Sequence, residues 1–187
     1  MLLYEPFKVQ IGQVELKHDC EKLKEYSLKL KEKSPGRKVS NVGGWQSKDL
    51  SIDKKTKSLM DEIISKTNEY AKIYHFNKPL KLWNFWINVN STGTRNMMHV
   101  HPGSPVSGTF YIEAPEGSGA ISFSRGEDLL QYHYDGCYDK PNALISDKFF
   151  IKPKQNILIL FPGYLKHEVE TNFSKYDRIS LSFNMIF

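Results

Sequence analysis

The sequence predicts a mainly β protein with flanking helices: a double-stranded β-helix of the jelly-roll, cupin-like kind, with two N-terminal helices packed on one outer face. Three observations predict it. Apolar residues recur at helical spacing in two segments before residue 80. From residue 80 onward the period changes to two and stays there through seven or eight extended runs. Glycine and proline separate several of those runs, as antiparallel turns require. Two helices followed by many strands leave the helices to cover one sheet face while the strands pack on each other.

The elements follow in order. Phe7 to Leu16 alternates weakly and reads as an edge strand. From about His18 to Lys33, Leu23, Tyr26, Leu28 and Leu30 fall among charges at helical spacing, and Ser34-Pro35-Gly36 stops that helix. Val39 to Leu50 reads as a loop centred on Gly43-Gly44-Trp45-Gln46-Ser47. A second helix is expected from about Asp53 to Phe76, with Leu59, Ile63, Ile64, Tyr70 and Ile73 as its apolar stripe and Asn77-Lys78-Pro79 as its end. Leu80–Asn90 then sets Trp83, Phe85, Ile87 and Val89 against Asn84, Trp86, Asn88 and Asn90. Further extended runs are Asn96–His101, Ser107–Glu113, Ala120–Ser124, Lys148–Ile151, Ile157–Phe161, His167–Glu170 and Ile179–Phe187. Arg125–Ile145, rich in Tyr, Asp and Gly, is too long for a hairpin loop and is expected to form a lid over the barrel mouth.

Length and composition set the outer limits. A chain of 187 residues fits one domain, 1–187, with a helical part at about 1–79 and a β-helix core at about 80–187. Hydrophobic content of 40% and aromatic content of 13% exclude a disordered chain. No apolar run approaches the roughly 20 residues that span a bilayer, and the N-terminus lacks the pattern of a signal peptide. With only Cys20 and Cys137 there is no disulfide framework, so a cytoplasmic protein with free thiols is expected. The net charge of +5 is confined to residues 1–81, where 17 Lys and Arg face 11 Asp and Glu; the remainder carries 9 against 10. Those lysines lie in solvated helical runs, so neither a nucleic acid nor a membrane is an expected partner. Oligomeric state is not legible.

The chemistry concentrates in Met98-His99-Val100-His101-Pro102, Lys166-His167-Glu168 and Arg178-Ile179-Ser180. Histidines at i and i+2 on an extended segment project to one side, within reach of one metal ion. His167 arrives on a later strand after Phe161-Pro162-Gly163-Tyr164. Arg178 opens a strand whose polar face carries Ser180, Ser182 and Asn184, so its guanidinium is expected inside the barrel, where it needs an anion. That anion is either a cosubstrate or an acidic side chain. Three such histidines with a buried cation describe a non-haem Fe(II) site beside an anionic cosubstrate, although zinc also accepts three histidines. His18, His75 and His133 lack partners at ligand spacing; His133 falls in the expected lid.

Trp86-Ile87-Asn88-Val89-Asn90, His99-Val100-His101-Pro102-Gly103-Ser104, Ser107-Gly108-Thr109-Phe110-Tyr111, Phe161-Pro162 ahead of His167, and Arg178-Ile179-Ser180-Leu181-Ser182-Phe183-Asn184 resemble a family of 2-oxoglutarate/Fe(II)-dependent oxygenases common in marine bacteria and their phages. The resemblance spans residues 40 to 187. It implies the double-stranded β-helix and an iron dioxygenase that consumes O2 and 2-oxoglutarate to oxidise a further, unidentified substrate. By the same resemblance His99 and His167 match metal ligands, and Arg178 with Ser180 matches the 2-oxoglutarate anchor. Tyr111 is placed to hydrogen-bond the cosubstrate carboxylate or to serve as a core tyrosine; Asn88 and Trp86 are candidates for the substrate side. His101 stands where the wider superfamily has a carboxylate. Either it completes a three-histidine site, or a carboxylate such as Glu113 comes from elsewhere.

A hydroxylase is the leading expectation. Two alternatives stay open: a cupin-type three-histidine metalloenzyme that does not use 2-oxoglutarate, and a non-catalytic β-barrel binding module. Cupin spacing usually adds a Glu about four residues after His-x-His, whereas positions 105 and 106 here are Pro and Val.

Overall fold

Eleven strands in two antiparallel sheets face each other in the computed structural model, which describes residues 1–4, 7–126 and 144–187. In chain order these are β1 (Gly12–Glu15), α1 (Cys20–Lys33), β2 (Asn41–Val42), β3 (Trp45–Gln46), α2 (Lys57–Ala71), β4 (Lys81–Asn90), β5 (Arg95–His99) and β6 (Val106–Glu113). They continue with β7 (Ile121–Ser124), β8 (Lys148–Ile151), β9 (Ile157–Pro162), β10 (His167–Val169) and β11 (Arg178–Ile186). The larger sheet runs β1-β9-β6-β11-β4-β3 and the smaller β2-β5-β10-β7-β8. This two-sheet arrangement is the predicted double-stranded β-helix.

The predicted alternation organises the larger sheet. Along β11, Ile179, Leu181, Phe183 and Met185 join a core with Phe85, Ile87 and Val89 of β4 and with Leu23, Leu59, Met60 and Ile63 of the helices. Both helices therefore cover one outer face, as predicted. Burying each such side chain contributes about 1.5–3 kcal/mol. The opposite face of the same strands carries Arg178, Ser180 and Ser182, whose register partners are Asn90, Asn88 and Trp86 on β4. A second, smaller apolar cluster, including Phe123, Ile159, Phe161 and Leu165, fills part of the space between the sheets.

Several boundaries differ from the sequence expectation, each for a local reason. Helix α1 begins at Cys20 because the Asp19 carboxylate caps it, accepting a hydrogen bond from Lys22 N at 3.2 Å. Helix α2 begins four residues later than expected: Asp53 Oδ1 accepts from the backbone of Lys55 and Thr56 and holds residues 53–56 in a turn. It ends in a short 3-10 turn, Lys72–Tyr74, followed by His75 in the left-handed region at φ 53°. The expected loop at 39–50 contains β2 and β3, which pair with β5 and β4 in different sheets. Two residues each are too few to register as a period. The expected lid at 125–145 and its His133 fall almost wholly outside the described residues, as does Cys137.

The strand expected at Asn96–His101 ends at His99. It also carries a β-bulge: Val169 of β10 opposes Asn96 while His167, two residues earlier, opposes His99, three residues later. One extra residue in Met97-Met98 thus lets both Asn96 and His99 reach the cavity between the sheets.

Candidate active site

His99 and His167 are Cα partners on adjacent strands. Their ring centroids lie 4.3 Å apart. Each ring is fixed in the same way: His99 Nδ1 meets Met97 O at 2.6 Å, and His167 Nδ1 meets Leu165 O at 2.8 Å. A carbonyl can only accept, so both Nδ1 atoms carry the proton and both Nε2 atoms keep a lone pair.

His101 enters from the turn after β5 rather than from the strand. Its backbone is pinned there by His101 N donating to Gly163 O at 2.8 Å and by Ser104 N donating to His101 O at 3.2 Å. Gly163 permits this approach, because a Cβ at that position would run into Ser104 O. The ring ends 5.0 Å by centroid from each of the other two, with its Nε2 3.2 Å from His167 Nε2. One ligand atom from each histidine falls within 4.8 Å of the other two, a spacing that could hold a metal ion. Burial, together with the charge of neighbouring imidazoles, pushes His101 down to about 3 and His167 down to about 4; burial also lowers His99. All three are neutral donors at ordinary pH. The donor set fits a divalent first-row ion.

Arg178 is 2% exposed and lines the same cavity. Its Nη1 is spent on backbone carbonyls, those of Ser118, Gly119 and Glu170. Among the described residues its Nη2 is buried and without a partner, and so is the Tyr111 hydroxyl. Burial holds the Tyr111 phenol up at about 12, so it remains a donor, and lowers Arg178 from its ordinary range. Two donors without a partner among the described residues, beside three converging imidazoles, fit one carboxylate of a bidentate cosubstrate. Ser180, the register partner of both Tyr111 and Asn88, lines the wall between them.

Eight residues singled out from the sequence line this one cavity: His99, His101, His167, Arg178, Ser180, Tyr111, Asn88 and Trp86. Among the described residues no carboxylate does. Glu113, the candidate carboxylate, instead binds Lys24 at 2.6 Å and faces a groove beside α1. The sequence reading did not single out Asn96 and Ser40, which meet at 3.3 Å in the cavity wall. The bulge hides the first from any period-two count, and the second lies outside the strands. Thr109 and Ser182 complete a hydrogen-bonded row with Asn88, with links of 3.2 and 3.3 Å. Their place on the polar faces of β6 and β11, where Ser182 shares a face with Arg178 and Thr109 with Tyr111, is the sequence signal that points to them.

The fold is shared with solved oxygenases. A prolyl-4-hydroxylase from Pseudomonas putida superposes with a TM-score of 0.61 at 12% identity, over 94% of this chain and 91% of that one. The viral collagen prolyl hydroxylase of Paramecium Bursaria Chlorella virus-1, solved with 2-oxoglutarate, gives 0.59 at 15% identity over 95% and 96%. The epimerase SnoN, solved with Fe3+, alpha-ketoglutarate and nogalamycin RO, gives 0.66 at 13% identity over 94% and 78%. No curated protein matches the sequence. The family model described as "Putative 2OG-Fe(II) oxygenase" matches residues 84–184, more than half of the chain, from β4 through the three histidines to Arg178 and β11. The chain therefore belongs to the 2-oxoglutarate- and Fe(II)-dependent oxygenases.

Proposed function

We propose that the protein is a hydroxylase-type oxygenase in which His99, His101 and His167 hold Fe(II) and Arg178, Tyr111 and Ser180 hold 2-oxoglutarate. The observation that carries this reading is the pairing, in one cavity, of three converging imidazoles with an unpartnered guanidinium nitrogen. When bound, Fe(II) and 2-oxoglutarate supply O2 activation coupled to oxidative decarboxylation and to oxidation of a substrate C–H bond.

The chain's own groups set the conditions for that chemistry. The Met97 and Leu165 carbonyls hold two imidazoles with Nε2 toward the centre. Arg178 is aimed by the carbonyls that occupy its Nη1, leaving Nη2 to orient the cosubstrate carboxylate next to the Tyr111 hydroxyl. Phe161 and Phe123 pack at 4.6 and 6.0 Å from the His167 ring and exclude water from that side. Trp86 and the Asn88–Ser182–Thr109 row offer the substrate one apolar face and one neutral hydrogen-bonding face.

The cupin-type reading leaves Arg178 Nη2 unexplained, and a binding module has no use for three converging ligands. The deciding experiment is an anaerobic titration of the Fe(II)-loaded protein with 2-oxoglutarate. A visible charge-transfer band saturating at one equivalent is expected; metal binding without the band would favour the cupin-type enzyme.

A further inference from the structure

The three histidines are not held alike. His99 and His167 each have Nδ1 tied to a backbone carbonyl, whereas among the described residues the only hydrogen-bonding contact of the His101 ring is with His167 itself. A histidine ring turns freely about its last torsion unless something selects one orientation. At His99 and His167 the carbonyl does so. At His101 aromatic packing must.

Among the described residues, two aromatic side chains outside the triad pack against that ring. Trp86 lies 5.9 Å away by centroid at an interplanar angle of 38°, and Phe161 lies 6.3 Å away at 42°. Phe161 packs closer to His167, at 4.6 Å. Trp86 is itself held: it sits inward on β4 opposite Ser182, is 8% exposed, and has the Arg37 guanidinium over its ring at 5.7 Å. Arg37 is fixed by Asp49 Oδ1 at 2.5 Å and by its backbone N donating to Gln46 O at 2.8 Å. A chain of contacts thus runs from the surface pair Arg37–Asp49 through the indole to the imidazole.

We propose that Trp86 is the positioning residue of His101, its indole steadied by Arg37 and replacing the carbonyl tether that the other two histidines possess. The proposal rests on the three-histidine reading of the site. It assigns Trp86 a role in metal binding beyond the substrate-facing one, and it makes Arg37 part of the support although Arg37 touches no ligand. Groups that orient metal ligands typically alter affinity by about 10- to 100-fold. An aromatic contact belongs at the lower end of that range.

The test is a double-mutant cycle read by Co(II) binding to the metal-free protein, followed by visible absorption, with no turnover required. Trp86→Leu is expected to weaken Co(II) about tenfold and to shift the Co(II) spectrum toward that of His101→Ala. Trp86→Phe, which keeps a ring, should stay within about threefold of the parent. In a His101→Ala background Trp86→Leu should change affinity less than about twofold, because its effect passes through His101. An equal loss in both backgrounds, or no loss in either, overturns the proposal while leaving the triad intact. If His101→Ala alone leaves Co(II) affinity unchanged, the three-histidine reading falls and the proposal with it. Should Trp86→Leu fail to fold, Arg37→Gln decides. A two- to threefold loss that disappears in the His101→Ala background supports the proposal; no coupling overturns it.

Discussion

His99 and His167 stand directly opposite each other on β5 and β10, and each donates Nδ1–H to a carbonyl two residues earlier in its own chain. The pairing register thus fixes the distance between two imidazoles, and each local backbone fixes a tautomer. Both restraints come from the chain's own backbone and leave the two Nε2 atoms directed to one side.

From this comes the first prediction. On the proposed three-histidine reading, His167→Ala should abolish metal binding or weaken it by more than about 100-fold, because one of three protein ligands is lost. Isothermal titration with Co(II) or anaerobic Fe(II) measures it. Stoichiometric, tight binding by the variant would remove the metal assignment.

Arg178→Ala should separate metal from cosubstrate. The metal should bind as before, while 2-oxoglutarate affinity falls about 10- to 100-fold with the loss of a charge-assisted pair. The carbonyls of Ser118 and Glu170 would also lose their donor, so the variant should melt at a lower temperature than the parent. Unchanged 2-oxoglutarate binding would reassign Arg178 to bracing the loop before β7.

The third prediction concerns pH. Burial holds His167 down at about 4, so the folded protein keeps it neutral where the unfolded chain, near 6.5, takes up a proton. Between those values the unfolded state binds more protons, and stability rises with pH. The contribution is complete above about 6.5 and is lost as pH falls toward 4. For His167 alone the loss at pH 5 is about 2 kcal/mol. Metal-free protein in chelator should therefore melt several degrees lower at pH 5 than at pH 7, and His167→Gln should flatten the dependence. A melting temperature that is constant across this range would show that the histidines are not buried neutral.

Much of this was open to reading in the sequence, because period-two alternation on β4, β6 and β11 sorts side chains onto two faces. Arg178, Ser180, Asn88 and Tyr111 meet in one cavity by that rule alone. His99 and His101 meet as well, but by a different route from the one the spacing suggests. A bulge at Met97-Met98 turns His99 inward, and a turn beyond the strand carries His101. A bulge leaves no periodic trace, since its signature is a register shift against another strand. The same holds for Asn96 and Ser40, whose place in the wall depends on pairing between distant segments. The two-residue strands β2 and β3 exist only through their partners, so no local pattern announces them.

The last prediction tests the charge at His101, where the superfamily has a carboxylate. Three neutral imidazoles leave a divalent ion its full 2+, and among the described residues no carboxylate lines the cavity to offset it. His101→Asp supplies one negative charge at that position and lowers the centre to a net 1+. Metal binding should survive, because an oxygen ligand replaces a nitrogen ligand, whereas His101→Ala should weaken it. A dianionic cosubstrate, however, is held partly by the charge of the metal. His101→Asp should therefore bind 2-oxoglutarate several-fold more weakly than the parent at equal metal occupancy, with a difference that shrinks as salt is added. Parallel titrations of metal and of 2-oxoglutarate into parent, His101→Asp and His101→Ala measure both quantities. Equal 2-oxoglutarate affinity in parent and His101→Asp would mean that Arg178 and Tyr111, rather than the charge of the centre, govern cosubstrate binding. Full metal affinity in His101→Ala would instead remove His101 from the ligand set and leave His99 and His167 as the pair.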